Sequence, residues 1–448
     1  MEITSVVKRK LAGLLAVSML AVSFAGCMKT PAPEAASSAP ASSAPDATTT
    51  SASATETTPV DAHRDAPEIN ETYLTQYFGV QALPDAITWK SFNDAMTKVA
   101  GVQSESMKAE EAVSFLDAVK LAVIGANFEE LALTYPAEKS AASLKKNGVE
   151  KSIDSAYASY LACAFDTLLI TKEQAAAADA NTALDKATAM ELLMAVADAN
   201  GTARNFIGYT DEADIYSKLI NAREAFVMFD NEKLSSIGAQ AVMNKVTTGY
   251  NLRNSNYDAK FIPELTLRYG HSTTKHASQL LGLLASEGIV AKVQLEPKTS
   301  IFEYLPEWGD IPPATPEYVV ERINDNLILA FSSEYDMVFE FATQEDKLKF
   351  DGLIMDYAKK DAEDQKGLLF ASWWQPLYVS SVEMKEGYNQ IYDNVITDGV
   401  YSLHPFCLPE DLEKVAAGFK AIDPAVKIEA VPLWCDEPFY RYLKGDFQ

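Results

Sequence analysis

Residues 266–296 read TLRYGHSTTKHASQLLGLLASEGIVAKVQLE, and this stretch decides how the rest of the chain is read. It opens as a polar loop. Ser272 or Thr273 is placed to cap a helix, because a hydroxyl can accept a hydrogen bond from the free N–H groups of a first helical turn. Ala277, Leu280, Leu281 and Leu284 then fall on one helical face,. Glu287-Gly288 stops the helix, and Ile289 to Leu295 alternates as a strand,. Two further strands are predicted at Leu327–Phe331 and Met337–Phe341. Upstream, a helical part beginning near Tyr209 runs to Val246 and is broken by Thr248-Gly249-Tyr250.

That order of loop, helix and strands resembles the core of transglutaminase-like proteins, which are papain-like in fold. Ser286-Glu287-Gly288-Ile289-Val290-Ala291-Lys292 is similar to the end of their core helix and the start of the next strand. The resemblance implies a catalytic Cys near Thr273, at the helix N-terminus, and a His near Tyr335. The chain has neither residue at those positions. A thiol mechanism is therefore not expected, and the module reads as inactive. The rival reading is a hydrolase acting on peptide or glycan through Ser272 or Thr273. His276 follows them at helical spacing, so one helix face would hold hydroxyl and imidazole together. His271 and His276 lack the i, i+4 spacing of helical metal ligands, so no metal and no cofactor is expected.

North of this region the chain reads as helices over Met107–Ala122, with Ser106 as N-cap, over about Ile153–Leu169, and over Asp185–Ala199,. Met107-Lys108-Ala109-Glu110-Glu111-Ala112 and Asp185-Lys186-Ala187-Thr188-Ala189-Met190 each open an apolar helix. Both segments resemble the Thr-Arg-Ala-Glu motif of S-layer homology repeats. The resemblance implies wall-polymer contact through Lys108 and Lys186, with lysine standing in both places where the family has arginine. The expected fold class is α+β, an N-terminal all-helical module followed by a transglutaminase-like α/β domain. The expected organisation is a helical domain over 63–205 and an α+β domain with a C-terminal extension over 206–448.

The N-terminus is the plainest functional signal. Lys8, Arg9 and Lys10 precede the apolar run Leu11 to Phe24, and Ser23-Phe24-Ala25-Gly26 leads directly into Cys27. A basic segment, a short apolar segment and a small-residue cleavage site make a secretory signal peptide over 1–26. The run is short of the ~20 residues that a spanning helix needs. Cysteine directly after Ala25-Gly26 resembles the lipobox of bacterial lipoproteins. That implies cleavage before Cys27, a lipid on its sulfur and a protein held at the extracytoplasmic face of the cell membrane. Residues up to about 62 are Ala, Ser, Thr and Pro with a few acids, a composition that cannot bury enough apolar surface to offset ordering entropy,. This segment reads as a disordered tether.

The net charge of −25 excludes a nucleic-acid partner, which requires a basic surface, and argues against direct adsorption to anionic lipid,. Cys163 lies in an apolar run and reads as a small core residue; an exported compartment permits a disulfide between Cys407 and Cys435,. Aromatic residues gather at Tyr304-Leu305-Pro306-Glu307-Trp308 and at Ser372-Trp373-Trp374-Gln375-Pro376-Leu377-Tyr378. A groove lined by Trp308, Trp373 and Tyr378, with Trp374 as a further candidate, is the expected binding surface for a sugar ring or a peptide. The function expected is that of a membrane-anchored binding or scaffolding lipoprotein of the cell envelope, with wall polymer or peptide as partner. A transporter's solute-binding lipoprotein is the third class, and shares the anchor.

Overall fold

In the computed structural model, the polar segment Glu296–Ser300 does not end the strand before it but continues it, so that Ala291–Glu303 is extended throughout. The structure describes residues 65–103, 109–176, 182–359, 369–370, 378–384 and 386–446. The chain divides into two units, Met1–Arg64 and Asp65–Gln448, and every described residue belongs to the second. The signal segment, Cys27, the tether, Lys108, Trp373 and Trp374 lie outside the described residues.

Among the described residues eight helices come first: α1 (Pro67–Phe78), α2 (Trp89–Ala100), α3 (Phe115–Gly125), α4 (Glu129–Leu133), α5 (Ala137–Lys146), α6 (Ser155–Asp166), α7 (Lys172–Ala176) and α8 (Lys186–Ala199). α8 packs against α1, α2 and α3, and its Leu192, Leu193 and Val196 are fully buried in the shared apolar core. Cys163 of α6 is buried in the same core. Local chemistry sets the helix starts. Thr88 and Ser91 form a reciprocal capping box on α2, and Asp185 accepts from the Thr188 N–H at the start of α8,. Ser106, the predicted N-cap, lies outside the described residues, but residues 109–114, predicted helical, are not helical. α3 begins after Ser114, whose hydroxyl accepts from the Asp117 N–H. Ala112 bridges to Thr88 and Ser114 to Ala183, so the residues just before α3 are extended rather than helical.

The remaining elements are β1 (Gly208–Tyr209), α9 (Ile215–Glu224), α10 (Glu232–Met243), β2 (Gly249–Asn254), β3 (Thr266–His271), α11 (Thr274–Ser286), β4 (Ala291–Glu303), β5 (Tyr318–Asn324), β6 (Leu327–Phe341), α12 (Gln344–Tyr357), β7 (Ala358–Lys359), β8 (Leu369–Phe370), β9 (Tyr378–Ser380), β10 (Tyr388–Asp398), β11 (Tyr401–His404), β12 (Phe406–Cys407), α13 (Leu412–Ile422), β13 (Glu429–Asp436) and α14 (Glu437–Leu443). Eight strands close on themselves in the order β4, β2, β11, β10, β13, β9, β3, β6 and back to β4, all antiparallel. β1 adds to β4, β5 to β6 and β12 to β10, while β7 and β8 pair in parallel apart from the barrel.

This architecture corrects the predicted fold class of a helical module followed by a transglutaminase-like α/β domain. The helix–strand unit is present locally: Ala277, Leu280, Leu281 and Leu284 are buried on α11, and Gly288, at φ +63°, follows its end. The strand order is what differs. α11 crosses from β3 to β4, and β6 lies between them, antiparallel to both. The predicted strands Leu327–Phe331 and Met337–Phe341 are one strand, β6, paired with β4 from Phe341 opposite Ala291 to Leu329 opposite Glu303.

The barrel has its apolar face outside. Side chains alternate across a strand, and here the outward set is Leu267, Val293, Leu295, Met337 and Phe339, buried with Leu280, Leu281 and Leu284 of α11 and Phe350 of α12. On the other flank Leu252, Ile301, Ile396 and Leu403 pack with Leu234 and Val242 of α10 and Phe419 of α13. α10 approaches so closely that a Cβ on Gly238 would collide with the Tyr250 ring. Cys407 belongs to this outer layer, whereas Cys435 packs with Ile391, Leu433 and Phe439; both are free thiols.

A buried ionic cluster ties the early helices to the barrel. Arg204 Nε lies 2.7 Å from Glu340, and Lys292 Nζ lies 2.6 Å from Asp65 and 3.0 Å from Glu340. Tyr77 of α1 donates to the Phe261 carbonyl at 2.5 Å, which brings its ring to the barrel mouth.

Candidate functional site in the barrel lumen

The inward positions are polar. Arg253 of β2, Arg268 of β3, Glu296 and Lys298 of β4, Asp336 of β6 and His404 of β11 line one cavity of about 480 Å³. That volume is in the range of small-ligand sites. Tyr77, Ser255, Asp258, Lys260, Thr397 and Val400, all exposed, form its rim.

Charges inside the lumen are paired, as low-dielectric burial demands. Asp336 receives Lys298 Nζ and Arg253 Nη2, each at 2.6 Å. Burial alone would push the Asp336 carboxyl up, but Lys298 and then Arg253 outweigh it and hold the group well below the usual carboxylate range. Glu296 accepts from the Ala259 N–H at 2.8 Å and faces Arg268 Nε at 3.6 Å and Arg253 Nη1 at 3.8 Å. The two latter distances are ion-pair contacts rather than hydrogen bonds. The Nε atoms of Arg253 and Arg268 are sealed from solvent and have no hydrogen-bond partner among the described residues. The lumen wall thus holds fixed cations, and Arg268 keeps 28% of its side chain exposed.

A second polar group lines the same cavity. The β10–β11 hairpin turns at Gly399, with φ +63°, and sets Ser402 opposite Thr397. Ser402 and His404 are two apart on β11, so they share the inner face. Ser402 Oγ is 2.7 Å from His404 Nε2, and His404 Nδ1 is 2.7 Å from Asp393 Oδ2. The carboxylate accepts from Nδ1–H, which leaves Nε2 to accept the Ser402 hydroxyl proton. Asp393 Oδ1 is buried with no hydrogen-bond partner among the described residues.

No protein-family model matches this chain. No curated protein and no solved structure matches it either.

The residues singled out from sequence fall elsewhere. Thr273 is the N-cap of α11, with its Oγ1 3.2 Å from His276 Nδ1. His276 Nδ1 is 3.0 Å from His271 Nε2, and His271 Nδ1 accepts from the Thr273 N–H at 3.0 Å. Burial, and then Lys275, lower the His276 pKa. The structure therefore does bring Thr273, His271 and His276 together, while Ser272 offers its carbonyl to Arg223 Nε at 3.4 Å. None of the four lines the lumen. Tyr378 is buried and stacks on Tyr269, with ring centroids 5.0 Å apart. Trp308 is exposed and meets the Tyr304 ring edge-on at 5.4 Å. Lys186 pairs with Glu71 of α1 at 2.8 Å. Among the described residues no group of three or more His, Cys, Asp or Glu could hold a metal.

Sequence reading missed Asp393, Ser402, His404 and the lumen charges. One signal was available. Asp398-Gly399 is a tight-turn pair flanked by alternating residues, which marks a hairpin,. Folding that hairpin on paper places Asp393, Ser402 and His404 on one face.

Proposed function

We propose that the protein is a lipid-anchored, extracytoplasmic binding protein of the cell envelope whose barrel lumen takes a small polar ligand bearing a carboxylate. The location rests on the signal segment, on Cys27 after Ala25-Gly26, and on the Ala/Ser/Thr/Pro tether,. The ligand class rests on one observation, the partly exposed guanidinium side chains of Arg268 and Arg253 in the wall of a cavity of about 480 Å³. A guanidinium presents a planar fork that matches a carboxylate, and in a dry cavity that match is stronger than in water. A short peptide or an acidic glycan fragment fits these requirements.

The test is thermal-shift screening of the full protein in detergent against amino acids, short peptides, sugars and sugar acids. Carboxylate-bearing compounds are expected to raise the Tm and to lose at least about tenfold in affinity in Arg268→Met, the cost of one charge-assisted contact. Equal binding by wild type and variant would overturn the lumen assignment. For the anchor, Cys27→Ser is expected to move the protein from the membrane fraction to the soluble one; retention at the membrane would overturn it.

A further inference from the structure

We infer that Ser402 is the nucleophile of an acyl-transfer site, with His404 as its base and Asp393 as the group that orients the imidazole. The inference rests on the lumen being open to ligand, and otherwise on a separate observation. Ser402 Oγ, His404 Nε2, His404 Nδ1 and Asp393 Oδ2 form one continuous chain with both links at 2.7 Å. That is the connectivity by which a hydroxyl, inert alone, becomes a nucleophile. All three residues line a cavity large enough for an ester or amide substrate. His404 and Asp393 are nearly buried, with side-chain exposures of 12% and 9%, which fixes the imidazole against rotation. Arg253 is directly opposite Ser402 in the β2–β11 ladder, and its Nε has no hydrogen-bond partner among the described residues. Residues so paired have Cβ atoms about 5 Å apart, and Arg253 and Ser402 line the same cavity.

The step balances with water as the only co-reactant. Ser402 Oγ attacks the acyl carbon and forms the Oγ–C bond, while its proton passes to His404 Nε2. The carbonyl π pair moves to oxygen, where Arg253 supplies positive charge. The oxyanion collapses, the bond to the leaving oxygen or nitrogen breaks, and His404 returns its proton to that leaving group. Water then attacks the acyl-Ser402 ester, gives a proton to His404 and releases the acid. Ser402 recovers its proton from His404. Asp393 keeps its charge throughout and stabilises the imidazolium. The product acid carries the carboxylate that Arg268 suits.

The experiment is labelling of the full protein with a fluorophosphonate, followed by peptide mass spectrometry. One adduct per chain is expected, on Ser402 and not on Ser272 or Thr273. His404→Gln is expected to slow labelling at least about 100-fold, as loss of a general base does. Asp393→Asn is expected to slow it by a smaller factor. Circular dichroism and Tm of each variant separate loss of chemistry from loss of fold. An unlabelled Ser402 in folded protein, or a labelling rate unchanged by His404→Gln, would overturn the inference. Ser272→Ala, outside the lumen, is expected to label at Ser402 and to bind the carboxylate compounds as wild type does. Binding without labelling would defeat this inference and leave the binding function standing; labelling without lumen binding would defeat the binding function alone.

Discussion

The early helices and the barrel bury their apolar residues in opposite directions. In the helical layer, Leu192, Leu193 and Val196 of α8 point to a common centre, and polar residues face water. In the barrel, Val293, Leu295 and Phe339 point outward beneath α11 and α12, and Arg253, Glu296, Lys298 and Asp336 point to the centre. The first arrangement is a core that holds itself together. The second is a wall, with its apolar side covered by helices and its polar side turned to the lumen. Barrels of eight strands leave room inside for side chains or for one small molecule, and here charge occupies part of that room.

The contrast can be broken by mutation. The largest effect is expected in the lumen. Asp336→Asn leaves Lys298 and Arg253 facing each other without their carboxylate, and removing one partner of a buried pair costs about 3–5 kcal/mol. The pH dependence carries a sign. The folded pKa of Asp336 is depressed, so its contribution is complete above the ordinary carboxylate range and is lost as pH falls through the folded value,. The gap in unfolding free energy between wild type and Asp336→Asn is therefore expected to hold constant down to about pH 4 and to close only below it. A gap that closes between pH 6 and 5 would mean that Asp336 is not held as a buried anion.

In the helical layer the largest effect comes from volume, not charge. Leu193→Ala is expected to cost about 3 kcal/mol in urea unfolding and to leave ligand affinity of the folded protein unchanged. A loss of affinity without a loss of stability would join the two regions more tightly than their separate cores imply. The smallest effect is expected at a helix start. Ser114→Ala removes the hydroxyl that accepts from the Asp117 N–H and is expected to cost about 1 kcal/mol,. No change would mean that the start of α3 is fixed by the Ser114–Ala183 bridge rather than by its cap.

The same contrast explains what could be read from the sequence. Helical periodicity exposes its own signal, because one residue in three or four is apolar whatever lies on the other face. The α11 face was legible for that reason, and so was the span of α8. The barrel strands hid theirs. Glu296-Pro297-Lys298-Thr299-Ser300 and Ser332-Ser333-Glu334 look like loops when polarity is taken to mean water. They are strand because every second residue faces a polar lumen, and the lumen exists only once eight distant strands have closed. Ser402 and His404 were hidden in the same way. Their partner Asp393 lies on the neighbouring strand, and nothing short of pairing the hairpin brings the three together. Thr273 and His276 were legible because helical spacing alone brings them close, and that proximity places them at a helix cap on the outer wall.

The central claim is that the lumen, and not the exposed aromatic surface, is where this protein meets its ligand. The most direct test is calorimetric titration of the carboxylate compound that gives the largest thermal shift, against wild type, Arg268→Met and Trp308→Ala. Arg268→Met is expected to weaken binding at least about tenfold and Trp308→Ala to leave it unchanged. Binding that survives Arg268→Met and is lost in Trp308→Ala would contradict it.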